Sequence, residues 1–147
     1  MKRKLASIAM TALVAALLVP LGAQSASANT VTTYCSQHMY DQTATTAQPS
    51  TALYCQMQEL ARLHGYAGPI NGTLGVNSWK GIQSYLRDYW NYTGPVNGVP
   101  GVNTYKAMQR AGNQMAWWPT PSAVDGTLET RDWQAWAYVV RLYITGN

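Results

Sequence analysis

The chain has 147 residues, with 10 basic and 6 acidic side chains, and its aromatic residues are 6 Trp and 10 Tyr without any Phe. This length suits one domain with one modest core. Three of the basic residues lie within the first four positions, so beyond residue 28 seven basic and six acidic side chains remain, a net charge of +1 with no Lys/Arg cluster. That balance argues against a nucleic-acid partner.

The first 28 residues have the order of a secretory signal peptide. Lys2, Arg3 and Lys4 precede an apolar stretch over residues 5–21, and small residues follow as Ala26-Ser27-Ala28. Signal peptidase accepts an A-x-A pattern of this kind, so we expect cleavage after Ala28 and a secreted, extracellular product that is not held in a membrane. The alternative is an uncleaved membrane anchor, but the stretch is short for a bilayer core.

Residues 29–50 are rich in Thr, Ser, Gln and Ala, which predicts an extended arm on the domain surface. Cys35 and Cys55 are the two cysteines of the chain, and in an exported protein we expect them to form a disulfide. The alternative is a metal site formed with His38 and His64. It lacks further ligands and orienting partners, so the sequence predicts no metal and no cofactor.

Helical periodicity begins after Ser50, a candidate N-cap, and continues to Gly65, which predicts a helix over residues 51–64. The next stretch, residues 66–77, contains several glycines and a proline and is predicted to be a compact loop. Periodicity resumes over residues 78–91, with Asn77 or Ser78 as the expected cap. The unit is therefore a helix, a Gly-rich loop and a second helix.

This unit is repeated. Residues 66–80, YAGPINGTLGVNSWK, align with residues 92–106, YTGPVNGVPGVNTYK, without a gap, and 9 of 15 positions are identical. A weaker third copy begins at Val124, where Asp125-Gly126 corresponds to Asn71-Gly72. Adding helices over residues 104–116 and 130–144 predicts an all-α domain over residues 51–147, a small bundle of about four helices joined by Gly/Asn-rich loops.

An Asn-Gly or Asp-Gly pair occupies the same place in every copy. The Asx side chain can accept a hydrogen bond from the backbone two residues on, and glycine adopts a positive φ without steric cost, so the pair predicts a sharp turn. A scaffold role for Asn71, Asn97 and Asp125 is the first interpretation. A ligand-binding role for the same three side chains is the alternative.

Aromatic side chains with polar groups suit a surface that binds sugars or peptides. Those predicted to be exposed lie in loops or away from the apolar faces of the helices. They are Tyr66, Tyr92, Trp117 and Trp118, with Tyr85 and Tyr138 as further candidates. The first four, together with the three Asx residues, form the predicted ligand-binding set.

Residues 53 to 110 resemble the peptidoglycan-binding domain family of bacterial cell-wall enzymes. The family pattern places a Gly-Tyr at the end of the first helix and then G-P-I-D-G-x-x-G, and this chain has Gly65-Tyr66 followed by residues 68–75, GPINGTLG. The pattern returns with Asn97-Gly98 and Gly101, although Asn replaces the family's Asp in both loops. The resemblance implies an orthogonal helical bundle and binding to a cell-wall polymer.

The expected function is therefore a secreted, non-catalytic peptidoglycan-binding module. Catalysis is not expected, because the six carboxylates show no pairing typical of a glycosidase and no nucleophile motif occurs. Glu129 and Asp132 open the last helix, where the helix dipole gives them a capping role. The main alternative is a protein-interaction module that inhibits or recruits a secreted enzyme, and a cell-wall hydrolase is a weaker one.

Overall fold

The structure is a computed structural model that describes residues 30–41, 49–116 and 119–146. Within this part the chain forms five helices, and the predicted all-α bundle is confirmed. The helices are α1 Thr33–His38, α2 Thr51–Leu63, α3 Val76–Tyr89, α4 Val102–Met115 and α5 Thr130–Thr145. The predicted signal peptide, Trp117 and Trp118 lie outside the described residues. None of the described helices is long and apolar enough to span a bilayer.

The helix ends follow from local chemistry. Ser50 caps α2 as predicted, since its hydroxyl accepts a hydrogen bond from the backbone N–H of Leu53 at 3.2 Å. The helix ends before Gly65, whose φ of +91° lets its N–H and that of Tyr66 bond back to the carbonyls of Arg62 and Ala61. These contacts use backbone groups that the last helical turn cannot satisfy by itself.

The start of α3 differs from the prediction. Its N-cap is Gly75, so the helix begins at Val76, and neither Asn77 nor Ser78 is the cap. The same holds one repeat later, where Gly101 caps α4. The predicted caps failed because the hydroxyl residues lie inside the first turn. Thr104 reaches back from there and accepts a hydrogen bond from the N–H of Gly101 at 3.4 Å.

The core is formed by the inward faces of α2 to α5. Helix α5 packs against both α4 and α2, while α3 packs against α2 and α4. The largest fully buried apolar side chains of this cluster are Leu53, Met57, Leu60, Ile82, Tyr85, Leu86, Met108 and Trp136. Gly81 allows α3 to approach α2 closely, because a Cβ at Gly81 would lie 2.7 Å from the Ala61 carbonyl oxygen. The bundle thus depends on a small residue at a helix contact as well as on apolar ones.

The segment before α2 is not extended throughout, because residues 33–38 form α1. The predicted disulfide is present, and Cys35 of α1 is bonded to Cys55 of α2. With both thiols used in this bond, neither is free to act as a ligand in the alternative metal site with His38 and His64. Just before α1, Val31 pairs with Ile70 in an isolated parallel bridge, with the N–H of Thr32 bonded to the Ile70 carbonyl at 3.0 Å. Residues 30–41 of the arm therefore lie on the bundle and contact the first loop.

Candidate functional site

A buried glutamine organises the first repeat loop. Gln58 lies on α2, and its side-chain oxygen accepts hydrogen bonds from the N–H groups of Asn71 and Gly72, both at 2.8 Å. Its amide nitrogen donates to the Asn71 side chain at 3.0 Å and to the Thr73 carbonyl at 2.9 Å. A single side chain thus holds both sides of the turn, which fixes the loop on the helix.

The other two loops are held in the same way. Gln83 on α3 accepts from the Gly98 N–H at 2.8 Å and donates to the Val99 carbonyl at 3.0 Å. Gln109 on α4 accepts from the Gly126 N–H at 2.8 Å and donates to the Asp125 carboxylate at 3.0 Å. The three copies therefore share one loop architecture, as the sequence repeat predicted.

The Asx-Gly pairs form the predicted turns. The side-chain oxygens of Asn71, Asn97 and Asp125 each accept from the backbone N–H two residues on, at 2.8–2.9 Å. The following glycines, Gly72, Gly98 and Gly126, all have φ between +77° and +87°. Hydrogen bonds from Gln109 and from the Thr127 backbone lower the pKa of Asp125. The scaffold interpretation is confirmed, while ligand contact by these exposed residues stays a prediction.

The predicted exposure of two loop tyrosines is wrong. Tyr66 is 9% exposed and Tyr92 is 5% exposed, and their hydroxyls donate to the carbonyls of Pro69 and Pro95 at 2.7 and 2.8 Å. A Cβ at Gly68 would overlap the Tyr66 ring. Each ring is covered by its own loop, because packing against the loop buries the ring and also gives its hydroxyl a hydrogen-bond acceptor. They offer no open aromatic face to a sugar.

Of the two further candidates, one was placed correctly. Tyr85 is 2% exposed and lies in the core between α2, α3 and α5, so its predicted exposure is also wrong. Tyr138 is 38% exposed, as expected. The outcome for Tyr85 follows from its position on the same face of α3 as Ile82, which the interruption of the apolar pattern by Gln83 and Ser84 obscured.

A polar cleft of about 510 Å³ lies between the first loop and α3, and it is called here the first-repeat cleft. Its walls include His64, Tyr66, Asn77, Lys80, Gly81 and Ser84. The lining offers an amide, a hydroxyl, an imidazole and an ammonium group beside an apolar ring edge. Such a combination can orient a polar ligand by hydrogen bonds and one charge. Of the predicted ligand-binding residues that the structure describes, Tyr66 alone lines this cleft.

His64 stands at one end of the first-repeat cleft and joins three helices. Its Nε2 lies 3.1 Å from the hydroxyl of Tyr143 on α5, and its Nδ1 lies 3.9 Å from the Asp88 carboxylate on α3. The ring also contacts the rings of Tyr85 and Tyr89. Burial lowers the pKa of His64, and the Asp88 charge offsets part of that effect. Burial likewise raises the pKa of Tyr143.

A second, smaller concavity of about 190 Å³ is mainly apolar and lies between the end of α3 and α5. Tyr85, Tyr89, Trp90 and Tyr143 form one side, and Met115, Val139 and Leu142 complete it. The tyrosines are those that surround His64. His64 of the first-repeat cleft thus contacts three of the tyrosines that line this apolar groove.

Three of the acidic side chains contact groups within the fold itself. Asp132 accepts from the Glu129 N–H at 3.0 Å and from Gln109 at 3.3 Å, which confirms its capping role at the start of α5. Asp41 contacts His38 at 2.6 Å, and Glu59 lies 3.5 Å from Arg62. Among the described residues, no group of three or more His, Cys, Asp or Glu side chains could hold a metal ion.

Comparison with known proteins returned no match to a family model, to a curated protein or to a solved structure.

Two features of the site were missed at the sequence level. The first is the glutamine set, although a signal exists, since each glutamine follows a buried apolar residue in Met57-Gln58, Ile82-Gln83 and Met108-Gln109. The second is the first-repeat cleft. It depends on small residues at positions 81 and 84, whose importance appears only when the repeats are compared in space.

Proposed function

We propose that the mature chain is an exported, non-catalytic module that binds bacterial cell-wall peptidoglycan through the first-repeat cleft. The observation that carries this proposal is the cleft itself, an open polar cavity held on both sides by fixed elements. Gln58 fixes the loop next to it, and four residues of α3 line it. A binding site on rigid elements loses little conformational entropy when a ligand binds.

Three further observations support the proposal. The loop motifs resemble those of the peptidoglycan-binding domain family, and the geometry explains why their glycine, Asx and tyrosine residues are needed. The Cys35–Cys55 disulfide suits an oxidising extracellular environment. The A-x-A pattern at residues 26–28 suits export. The alternative, a module that binds a secreted enzyme, shares the last two supports, and a binding experiment distinguishes it from wall binding.

Co-sedimentation with purified insoluble peptidoglycan at low salt tests the proposal. We expect the mature chain to pellet with the wall, as an established wall-binding domain does in parallel. Retention in the supernatant would contradict wall binding and favour the protein-interaction alternative. A turbidity measurement on the same suspension tests the remaining alternative, because clearing would indicate a hydrolase.

A matched pair of variants assigns the binding to the cleft. Ala67 and Ala123 are both exposed loop alanines, but only Ala67 lines the first-repeat cleft. Ala67→Trp should reduce the pelleted fraction by filling the cleft, whereas Ala123→Trp should leave it unchanged. Equal pelleting of both variants would place the binding surface elsewhere on the chain.

A further inference from the structure

The second repeat contains the counterpart of the first-repeat cleft, and there an arginine occupies it. Arg110 lies on α4 at the position that Ser84 holds on α3, 26 residues earlier. Its guanidinium donates to the Trp90 carbonyl at 3.1 Å and to the Asn91 carbonyl at 2.9 Å. Those two carbonyls end α3 just as the carbonyls of His64 and Gly65 end α2. The second repeat is thus closed by its own cationic side chain.

In the first repeat the corresponding side chain is Ser84, which is too short to reach the carbonyls at the end of α2. Ser84 lines the cleft, and no hydrogen bond within the described residues ends on the carbonyl of His64 or Gly65. Carbonyl oxygens at a helix C-terminus carry the negative end of the helix dipole and attract cations. The open cleft therefore presents the carbonyls of His64 and Gly65, which correspond to the two carbonyls that Arg110 binds in the second repeat.

The charges around the position are compatible with a bound cation. Asp88 follows Ser84 by one helical turn, and its carboxylate lies at the same end of the cleft as His64. Lys80 precedes Ser84 by one helical turn and would repel a cation there. In the second repeat Lys106 precedes Arg110 by the same spacing, so this arrangement accommodates a second cation beside the lysine. Lys80 is also positioned to meet a carboxylate carried by the same ligand.

We propose that the first-repeat cleft binds a primary ammonium group of the wall peptide, carried by its diamino acid, at the carbonyls of His64 and Gly65. This inference rests on the proposed function and narrows the ligand to the peptide, because the N-acetylated glycan strand carries no cation. Arg110 acts as the internal substitute for this ligand in the second repeat. The first repeat is the one that binds the wall peptide, because Arg110 already bonds to the corresponding carbonyls in the second repeat.

The first test introduces an arginine into the first repeat at the position that Arg110 has in the second. Ser84→Arg should donate to the His64 and Gly65 carbonyls as Arg110 does in its own repeat, and thereby weaken binding to peptidoglycan about tenfold or more. Ala123→Arg adds the same side chain to an exposed loop outside the cleft and should bind as the parent chain does. Thermal melting followed by circular dichroism confirms that both variants fold. A folded Ser84→Arg variant that pellets like the parent would overturn the inference.

The second test leaves the protein unchanged and modifies the wall. Acetylation of the peptidoglycan amines with acetic anhydride removes the ammonium groups and leaves the glycan intact. The parent chain should pellet with untreated wall and stay in the supernatant with acetylated wall. Equal pelleting with both would overturn the ammonium inference while the proposed wall binding stands.

A soluble probe separates failure of this inference from failure of the proposed function. In NMR titrations, Nα-acetyl-lysine N-methylamide should shift the backbone amides of Gly65, Tyr66 and Ser84, and its Nε-acetylated form should not. Shifts without pelleting would overturn the wall as the source of the amine and indicate a basic peptide of another protein. The absence of shifts together with the absence of pelleting would overturn both proposals.

Discussion

At the scale of single residues, the molecule depends on polar side chains that serve the backbone. Gln58, Gln83 and Gln109 are almost fully buried, and each has both ends of its amide engaged by a loop. A buried glutamine is costly to desolvate, so its presence at three equivalent places indicates that the loops need it. The Asx residues and the loop tyrosines also hydrogen-bond to the backbone of these loops, from within the loops themselves. Most polar groups that a sequence would suggest for ligand contact are thus occupied within the scaffold.

Removal of one glutamine gives the first prediction. Gln58→Leu leaves the N–H groups of Asn71 and Gly72 without their acceptor, and the second of these is buried. We expect the free energy of unfolding to fall by about 2–4 kcal/mol, measured by urea denaturation. The control is Gln114→Leu on the exposed face of α4, which should change it by less than about 0.5 kcal/mol. Equal effects of the two substitutions would contradict the role given to Gln58.

At the scale of elements, the sequence predicted the four long helices because their apolar periodicity is strong. It placed the starts of α3 and α4 two residues late, since a glycine cap leaves no side-chain signal. It gave no sign of α1, a helix of six residues capped by Thr32 and tied down by the disulfide. Short elements that depend on a tertiary contact cannot be read from local periodicity.

The glycine caps yield a prediction for helix α3. Gly75 has the extended backbone of an N-cap, has no side-chain cap, and a Cβ there would meet no atom within 4 Å. Gly75→Ser adds a hydroxyl acceptor and removes backbone freedom from the unfolded chain, so stability should rise by about 0.5 kcal/mol in urea denaturation. Gly81→Ser is the contrasting variant. Its Cβ would lie 2.7 Å from the Ala61 carbonyl, and a loss of stability is expected there.

The candidate site was less predictable than the helices, and the repeat explains why. Sequence identity between the copies revealed the shared loops, including Asn71 and Asn97 in their turns. The difference that opens one copy and closes the other lies at Ser84 and Arg110, outside the fifteen aligned residues. The residues that the copies share serve the scaffold, but Tyr66, Asn77 and Lys80 among them also line the first-repeat cleft, so position 84 is what distinguishes the two copies. The predicted exposure of Tyr66 and Tyr92 was wrong because each ring is covered by its own loop.

At the scale of the whole molecule, the described part consists of a bundle and a separately anchored α1. Cys35, Met39, Cys55 and Ile70 form a small apolar cluster apart from the main core. The double variant Cys35→Ser/Cys55→Ser should lower the free energy of unfolding by about 3 kcal/mol through the lost cross-link. Hydrogen exchange should increase in α1 before it increases in α3 to α5. Loss of protection across all helices together would contradict this separation.

His64 links the end of α2 to α3 and α5, and its burial makes the free energy of unfolding depend on pH. Its pKa in the folded chain is lowered by burial, so the unfolded chain, with an ordinary histidine pKa of about 6.5, takes up the proton first as pH falls. The stabilising contribution is therefore complete above about pH 6.5 and is lost as pH decreases from there. The free energy of unfolding should fall between about pH 7.5 and pH 5.5.

Substitution of the two histidines separates this effect from general acid sensitivity. His64→Gln cannot take up a proton, so its free energy of unfolding should change less over the same pH range than that of the parent chain. His38→Gln on α1 leaves the contact between His64 and Tyr143 in place, so acid should still lower the free energy of unfolding of this variant. Because His64 contacts Tyr143 across 79 positions of the chain, its protonation is expected to loosen α5 first. Hydrogen exchange at pH 5.5 that increases in α5 ahead of α2 would support this order, and uniform exchange would contradict it.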